Sequence, residues 1–138
     1  MRLKIVLDTN ALISALGRKS PYKIVINKLL DDKYDLFVTT EILLEYEEKI
    51  AELHNLAVAN TFLDVLSVLP NVYQSAVYYR FLLITNDADD DKFADCAIAQ
   101  GVHYLVTDDK HFKILLRLGF PKVNLLKINE FQALLETF

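Results

Sequence analysis

Short apolar runs alternate with stretches of helical periodicity along the 138-residue chain. Runs of four to eight apolar residues bounded by turn formers indicate strands, and apolar residues recurring every three or four positions indicate helices. The predicted strands are Leu3–Leu7, Tyr34–Val38, His103–Thr107 and Val123–Ile128. The predicted helices are Ala11–Leu16, Tyr22–Leu30, Glu41–Leu53, Leu56–Leu69, a helix after an acidic run, Lys110–Leu118 and Glu130–Leu135. This alternation predicts a three-layer α/β fold around a mainly parallel sheet of four or five strands.

Capping residues and breakers set the predicted helix ends. Ser20, followed by a proline, is a candidate N-cap for the second helix, and Asn129 is one for the last. The region from Val72 to Thr85 is the least regular, and within it Phe81–Ile84 can be read as a strand or a buried turn.

Length and composition indicate one domain spanning residues 1–138, because domains commonly contain about 100–150 residues. The hydrophobic fraction of 53% and the three glycines and three prolines argue against disorder. No apolar run reaches the ~20 residues of a membrane-spanning helix and no signal peptide is evident, so we expect a cytoplasmic protein without membrane contact. Cys96 is the single cysteine, which excludes an internal disulfide and favours a small buried residue.

The net charge of −4 argues against broad, basic wrapping of nucleic acid. It does not exclude nucleic acid as a substrate, since acids that hold a divalent metal present positive charge to a phosphate.

Five aspartates fall between Asp87 and Asp95 and lead into a small apolar stretch. On a helix, Asp90 projects onto the apolar face, so it points inward or caps the first turn. Asp91 and Asp95 are four residues apart, where like charges disfavour the helix unless a cation neutralises them. The alternative is that Asp87, Asp89 and their neighbours only favour the helix dipole at an N-terminus.

Two further acids, Asp8 and Asp109, follow apolar strands at the edge of the sheet where parallel α/β folds bind ligands. Carboxylates about 4 Å apart repel by roughly 4 kcal/mol at an effective dielectric constant near 20, which raises a pKa or requires a metal. Oxygen ligands without thiolates or a histidine pair suit Mg2+ or Mn2+. Because such ions activate water and orient phosphodiesters, the acids together predict phosphodiester hydrolysis.

Periodicity does not select Glu45, since the glutamates of its helix lie mostly off the apolar face and are typical of a solvated surface. The three histidines have no zinc-site spacing and are interpreted as structural or surface residues. Several cations near the acids, Lys92 among them, could follow a phosphate backbone or be ordinary surface groups.

In chain order, four motifs resemble those of the PIN-domain family. They are Asp8-Thr9-Asn10 after the first strand, Glu45 in a helix, the run from Asp87 to Phe93, and the segment from Leu105 to Lys110. The resemblance covers essentially the whole chain and is closest to small prokaryotic toxins similar to VapC ribonucleases. It implies a PIN-like α/β/α fold and an endoribonuclease dependent on Mg2+ or Mn2+, with RNA as substrate, an antitoxin protein as partner and a homodimer as assembly.

The resemblance also assigns roles to particular acids. Asp8, Asp90 and Asp109 are expected to hold the metal, and Glu45 to ligate it or to orient the attacking water. All four are the expected catalytic residues.

Some positions stay open. Asp91 or Asp95 could replace or assist Asp90, and Asp108 could compete with Asp109. Asn10 is expected to orient Asp8, and the hydroxyl of Thr107 to position the site.

Two functions of other classes remain as alternatives. A phospho-acceptor module similar to a response-regulator receiver fits the size and fold class, but it requires an acidic pair after the first strand, where this chain has Asp8-Thr9-Asn10. A catalytically idle PIN-like binding module would lack carboxylate-dependent metal binding, although all four acidic positions are filled.

Overall fold

The computed structural model describes residues 2–75, 91–117 and 122–138, and within these it leaves the side chains of residues 114–117 undescribed. The described strands form one sheet, and every pairing in it is parallel. The strands are β1 (Lys4–Leu7), β2 (Asp35–Val38), β3 (Val72–Gln74), β4 (Tyr104–Val106) and β5 (Leu125–Leu126). Their order across the sheet is β3-β2-β1-β4-β5.

Helices flank this sheet, which confirms the predicted α/β fold class. The helices are α1 (Thr9–Ser14), α2 (Lys23–Leu30), α3 (Thr40–Leu53), α4 (Leu56–Val68), α5 (Asp91–Gln100) and α6 (Ile128–Leu135). A 3-10 helix covers Lys110–Arg117. Within the described part of the chain, no helix has the length and apolar character needed to cross a membrane.

Strand β1 lies at the centre of the sheet and is buried on both faces. Ile5 pairs with Leu36 of β2 on one side and with Tyr104 of β4 on the other. Ile5, Val6 and Leu7 are fully buried, as expected for a parallel strand covered by helices on both faces. This explains why its sequence is a nearly continuous apolar run.

The strand order reverses direction at β1. The chain adds β2 and β3 on one side of β1 and then crosses to place β4 and β5 on the other. In open α/β sheets, ligands bind beyond the carboxyl ends of the strands at such a switch point. The ends of β1 and β4 are adjacent, because Leu7 pairs with Val106. The residues that follow these two strands therefore meet in the crevice.

The last helix begins earlier than predicted, and Asn129 is not its N-cap. Helix α6 starts at Ile128, which is buried, and this places Asn129 in the first turn. The Glu130 carboxylate accepts a 2.9 Å hydrogen bond from the Lys127 N–H, while the Ile128 N–H donates to Asp108. The carboxylates of Glu130 and Asp108 thus satisfy two N–H groups at the start of the helix.

Other predicted elements also differ in extent or type; the first helix, for example, is Thr9–Ser14 instead of Ala11–Leu16. The predicted helix Lys110–Leu118 is a 3-10 helix in its described part, and the predicted strand Val123–Ile128 is reduced to Leu125–Leu126. Ser20 is not the N-cap of α2, since its hydroxyl accepts from the Tyr22 N–H and the helix starts one residue later. A short side-chain turn thus precedes the helix.

The irregular region contributes an edge strand. Val72 pairs with Leu36 to place β3 beside β2, a three-residue strand that the sequence left unassigned. The segment Phe81–Ile84 lies outside the described residues. Cys96 is buried and forms no disulfide, as predicted.

Candidate functional site

Asp8 lies where β1 ends and α1 begins. Its backbone N–H donates a 3.0 Å hydrogen bond to the Val106 carbonyl of β4, and its own carbonyl accepts from the Leu12 N–H. The residue is only 4% exposed. A carboxylate is therefore fixed at the switch point by the ends of two neighbouring strands.

Thr107, the first residue after β4, connects two of the predicted site acids. Its buried hydroxyl donates a 2.9 Å hydrogen bond to Oδ2 of Asp8. The same oxygen accepts a 3.0 Å hydrogen bond from the Asp109 N–H. One hydroxyl thus holds the Asp8 carboxylate and the Asp109 backbone beside each other.

Asp108 and Asp109, which the sequence could not separate, have different surroundings. Oδ1 of Asp108 accepts a 2.9 Å hydrogen bond from the Ile128 N–H, at the start of α6. Oδ1 of Asp109 accepts from the His111 N–H, and Nδ1 of the same histidine lies 3.4 Å away from it. The Asp108 carboxylate thus supports the start of α6. Asp109 is the acid whose backbone N–H is hydrogen-bonded to the Thr107 hydroxyl. The proximity of the His111 ring to Asp109 was not predicted.

Glu45 comes to the site from α3 and is held by two side chains. Its Oε2 accepts a hydrogen bond from the Thr9 hydroxyl, one residue after Asp8. Its Oε1 lies 2.8 Å from the ammonium of Lys92 on α5. Helices α1, α3 and α5 therefore meet at this carboxylate. Neither contact was predicted, because the three residues are far apart in sequence and share no periodic pattern.

The pKa of Asp8 depends on its burial and on the acids close to it. Its pKa is raised from 3.8 to about 6, mainly by burial and in smaller part by the charges of Glu45 and Asp109. The hydrogen bonds from the Thr107 hydroxyl and the Thr9 N–H act in the opposite direction. Raised pKa values of this kind, caused by desolvation and nearby like charges, are concentrated at functional sites.

Residues 4–111 match the family model described as the PIN domain. The chain belongs to the PIN-domain family. The match covers most of the chain and includes every site acid discussed above. Members of this family are generally nucleases, which are hydrolases of phosphodiester bonds.

Solved structures with a similar fold come from VapBC assemblies. The PIN domain has a TM-score of 0.63 and 21% identity to a chain of VapBC2 from Rickettsia felis bound to a promoter DNA fragment, covering 91% of this chain and 98% of that one. A chain of VapBC-1 from nontypeable Haemophilus influenzae has a TM-score of 0.63 and 15% identity, and the match covers 92% of this chain and 99% of that one. A chain of DNA-bound VapBC from Salmonella typhimurium has a TM-score of 0.60 and 16% identity, and the match covers 91% of this chain and 98% of that one. Comparison with curated protein sequences finds no match.

Helix α5 of the PIN domain buries two of the remaining candidate acids. Asp91 is 8% exposed and Asp95 is 2% exposed, so both are buried. Asp90 lies outside the described residues, as do Asp87 and Asp89. Its predicted place in the site therefore remains a prediction.

Asn10 is exposed in the first turn of α1. The contacts that orient Asp8 come from Thr107 and from the Thr9 backbone. The Thr107 hydroxyl thus contacts the Asp8 carboxylate directly, and the orienting role of Asn10 stays a prediction.

The donor groups of this PIN domain fit Mg2+ or Mn2+ in kind. The carboxylates of Asp8, Asp109 and Glu45 are all hard oxygen donors, which these ions prefer. In the part of the chain that the structure describes, no three or more His, Cys, Asp or Glu side chains converge into a ready metal site. A complete ligand set thus calls for another donor, and Asp90 is the candidate from the sequence.

Proposed function

We propose that this PIN domain is an endoribonuclease that depends on Mg2+ or Mn2+ and acts as the toxin of a toxin-antitoxin pair. The observation that carries the proposal is the hydrogen-bonded series Asp8–Thr107–Asp109. It lies at the switch point of the sheet, and Glu45 is close enough to raise the pKa of Asp8. Membership of a family of nucleases supports phosphodiester hydrolysis as the chemistry of this acidic crevice.

In this proposal, Asp8, Asp90 and Asp109 hold the metal, and Glu45 ligates it or orients the attacking water. A divalent ion in such a site supplies a more acidic bound water and positive charge opposite the phosphate. The attacking water gives up a proton as its oxygen bonds to phosphorus, the bond from phosphorus to the leaving ribose oxygen breaks, and that oxygen takes up a proton. Thr107 keeps Asp8 and Asp109 in register during the reaction.

The neighbouring acids Asp108 and Asp109 provide a matched test of the proposed site. We expect purified protein to cleave single-stranded or loop RNA when Mg2+ or Mn2+ is added and not in EDTA. Asp8→Asn and Asp109→Asn should abolish cleavage while the far-ultraviolet circular dichroism spectrum stays unchanged. Asp108→Asn removes the same charge one residue away, where the side chain supports α6, and should retain most activity. Undiminished cleavage by Asp8→Asn would refute the assignment.

The alternative functions predict different experimental results. Membership of the PIN-domain family favours this interpretation over a receiver-like phospho-acceptor, which a small phosphodonor would label. A catalytically idle PIN module would show no metal binding that depends on Asp8 or Asp109. Calorimetric titration with Mn2+ in the absence of RNA separates it from the nuclease.

The proposed partner is an antitoxin protein. Support comes from the similar folds, which belong to VapBC complexes of toxin and antitoxin. We propose further that residues 1–138 act as one domain and form a homodimer. Growth arrest on induced expression, relieved by co-expression of a protein encoded next to it, would support the toxin assignment, and the sedimentation coefficient would report the assembly. Arrest that persists in Asp8→Asn would argue against toxicity by RNA cleavage.

A further inference from the structure

Lys92 is a cation held inside the acidic site. Its side chain is 13% exposed, and its ammonium lies 2.8 Å from Oε1 of Glu45, whose side chain is 18% exposed. The same ammonium lies 5.5 Å from the centre of the Phe93 ring. Water screens such an enclosed pair less than a surface pair, so the contact between Lys92 and Glu45 is stronger than an ordinary surface ion pair.

The second oxygen of Glu45 is also engaged. The hydroxyl of Thr9 donates to Oε2, and Thr9 is only 3% exposed. Lys92 and Thr9 belong to α5 and α1, so the carboxylate of α3 is held from two sides. A metal that bound Glu45 would therefore share its carboxylate with the ammonium of Lys92, whose positive charge repels the ion.

We infer that Lys92 is a positioning residue that keeps Glu45 out of the metal's ligand shell, so that Glu45 orients water instead of binding the ion. This inference rests on the proposed function and decides between the two roles that the sequence left open for Glu45. The ammonium neutralises the carboxylate and repels a dication from it. Each carboxylate oxygen retains a lone pair beyond its present partner and can accept a hydrogen bond from water.

The test measures Mn2+ affinity by isothermal titration calorimetry without RNA, in the wild-type protein and three variants. Lys92→Met releases Glu45 toward the ion and removes a repelling charge, so it should bind Mn2+ on the order of tenfold more tightly. Glu45→Gln removes a negative charge beside the site and keeps the ammonium of Lys92, so it should bind Mn2+ on the order of tenfold more weakly. The double variant, Lys92→Met with Glu45→Gln, loses one positive and one negative charge and, according to the inference, no metal ligand. Its Mn2+ affinity should therefore stay within about threefold of wild type.

Two controls separate charge at this position from general effects. Lys92→Arg keeps the positive charge, so Mn2+ affinity should stay near the wild-type value. Lys49→Met removes a lysine from the exposed pair that Lys49 forms with Glu52 at 3.5 Å, and it should change neither Mn2+ affinity nor RNA cleavage. Cleavage should be lost in the double variant although its metal affinity is kept.

The decisive variant is the double one. If it binds Mn2+ about tenfold or more weakly than wild type, Glu45 is a ligand in the native protein and the inference is wrong. Unchanged or weaker affinity in Lys92→Met would contradict it as well. Asp8→Asn, titrated alongside, tests the proposed function separately. If Asp8→Asn binds Mn2+ as wild type does, the proposed site fails, whereas a weakened double variant refutes only the role of Lys92.

Discussion

The Thr107 hydroxyl donates to Oδ2 of Asp8 over 2.9 Å and joins the ends of two adjacent parallel strands. Asp8 is 4% exposed and Thr107 is equally buried, so water cannot replace this hydrogen bond. It counteracts the burial that raises the pKa of Asp8. The Thr107 hydroxyl thus connects the ends of the two strands and also lowers the pKa of Asp8.

Thr107→Val should remove this link while keeping the shape of the side chain. We expect the free energy of unfolding to fall by about 1–3 kcal/mol, because a buried carboxylate loses its donor. The pKa of Asp8 should rise above its value of about 6, since the hydrogen bond that lowers it is gone. Urea unfolding and carbon-detected NMR titration measure the two effects. Thr107→Ser, which keeps the hydroxyl, should change both much less; equal effects in both variants would show that the methyl group matters instead.

Asp8→Asn should make the metal-free protein more stable at neutral pH. The pKa of Asp8 is about 6 in the folded protein and about 3.9 in an unfolded chain. The folded state therefore holds the proton more tightly, and the stability from this group is complete below pH 4 and is lost as pH rises through 6. The loss amounts to roughly 3 kcal/mol.

Asparagine carries no such titration. In EDTA, the unfolding free energy of Asp8→Asn relative to wild type should therefore increase by roughly 2–3 kcal/mol between pH 4 and pH 8. Urea unfolding across that range measures the difference, and the other acids cancel because both proteins contain them. A difference that stays constant with pH would contradict the raised pKa.

Asp108→Ala should affect stability and leave the chemistry nearly unchanged. Its carboxylate accepts from the Ile128 N–H at the start of α6, so its removal should cost about 1 kcal/mol, as loss of a helix cap does. Asp109→Asn should have a smaller effect on stability, because the amide oxygen can still accept from the His111 N–H. Urea unfolding of the two variants beside RNA cleavage checks this. A larger loss of activity in Asp108→Ala than in Asp109→Asn would exchange their roles.

The strands and the first site acid could be predicted from the sequence because their signals are local. Burial on both faces makes β1 a continuous apolar run, and Asp8 is the first acid after it. Strand β3 was not predicted because it lies at the edge of the sheet and two of its three residues are exposed, so it lacks the apolar run that marks a buried strand. The start of α6 depends partly on an acceptor from Asp108, which is distant in sequence.

The role of Glu45 shows why the rest of the site could not be predicted. Periodicity gives its position on α3 but not its partners, which come from α1 and α5. Asp108 and Asp109 are adjacent acids after the same strand, and only the backbone N–H groups that they meet distinguish them. Contacts between distant segments leave no pattern within either segment, and these contacts decide which acid faces the crevice.

Tyr46→Phe should disturb the site more than an equivalent change elsewhere in the core. The buried Tyr46 hydroxyl donates a 2.6 Å hydrogen bond to the Leu7 carbonyl, one residue before Asp8. Removing it takes a donor from a buried carbonyl and should cost about 1–3 kcal/mol of unfolding free energy. The end of β1 would then be held less firmly, so we expect weaker Mn2+ binding and slower RNA cleavage.

Tyr34→Phe is the matched control for this change. Its hydroxyl is equally buried and donates a 2.8 Å hydrogen bond to the Val25 carbonyl of α2, so a similar loss of stability is expected. That hydrogen bond does not hold the strand that carries Asp8, and Mn2+ affinity should therefore stay at the wild-type value. Urea unfolding and calorimetric titration of both variants give the comparison. If both lose Mn2+ affinity in proportion to stability, the Tyr46 hydroxyl supports the core and has no particular effect on the site.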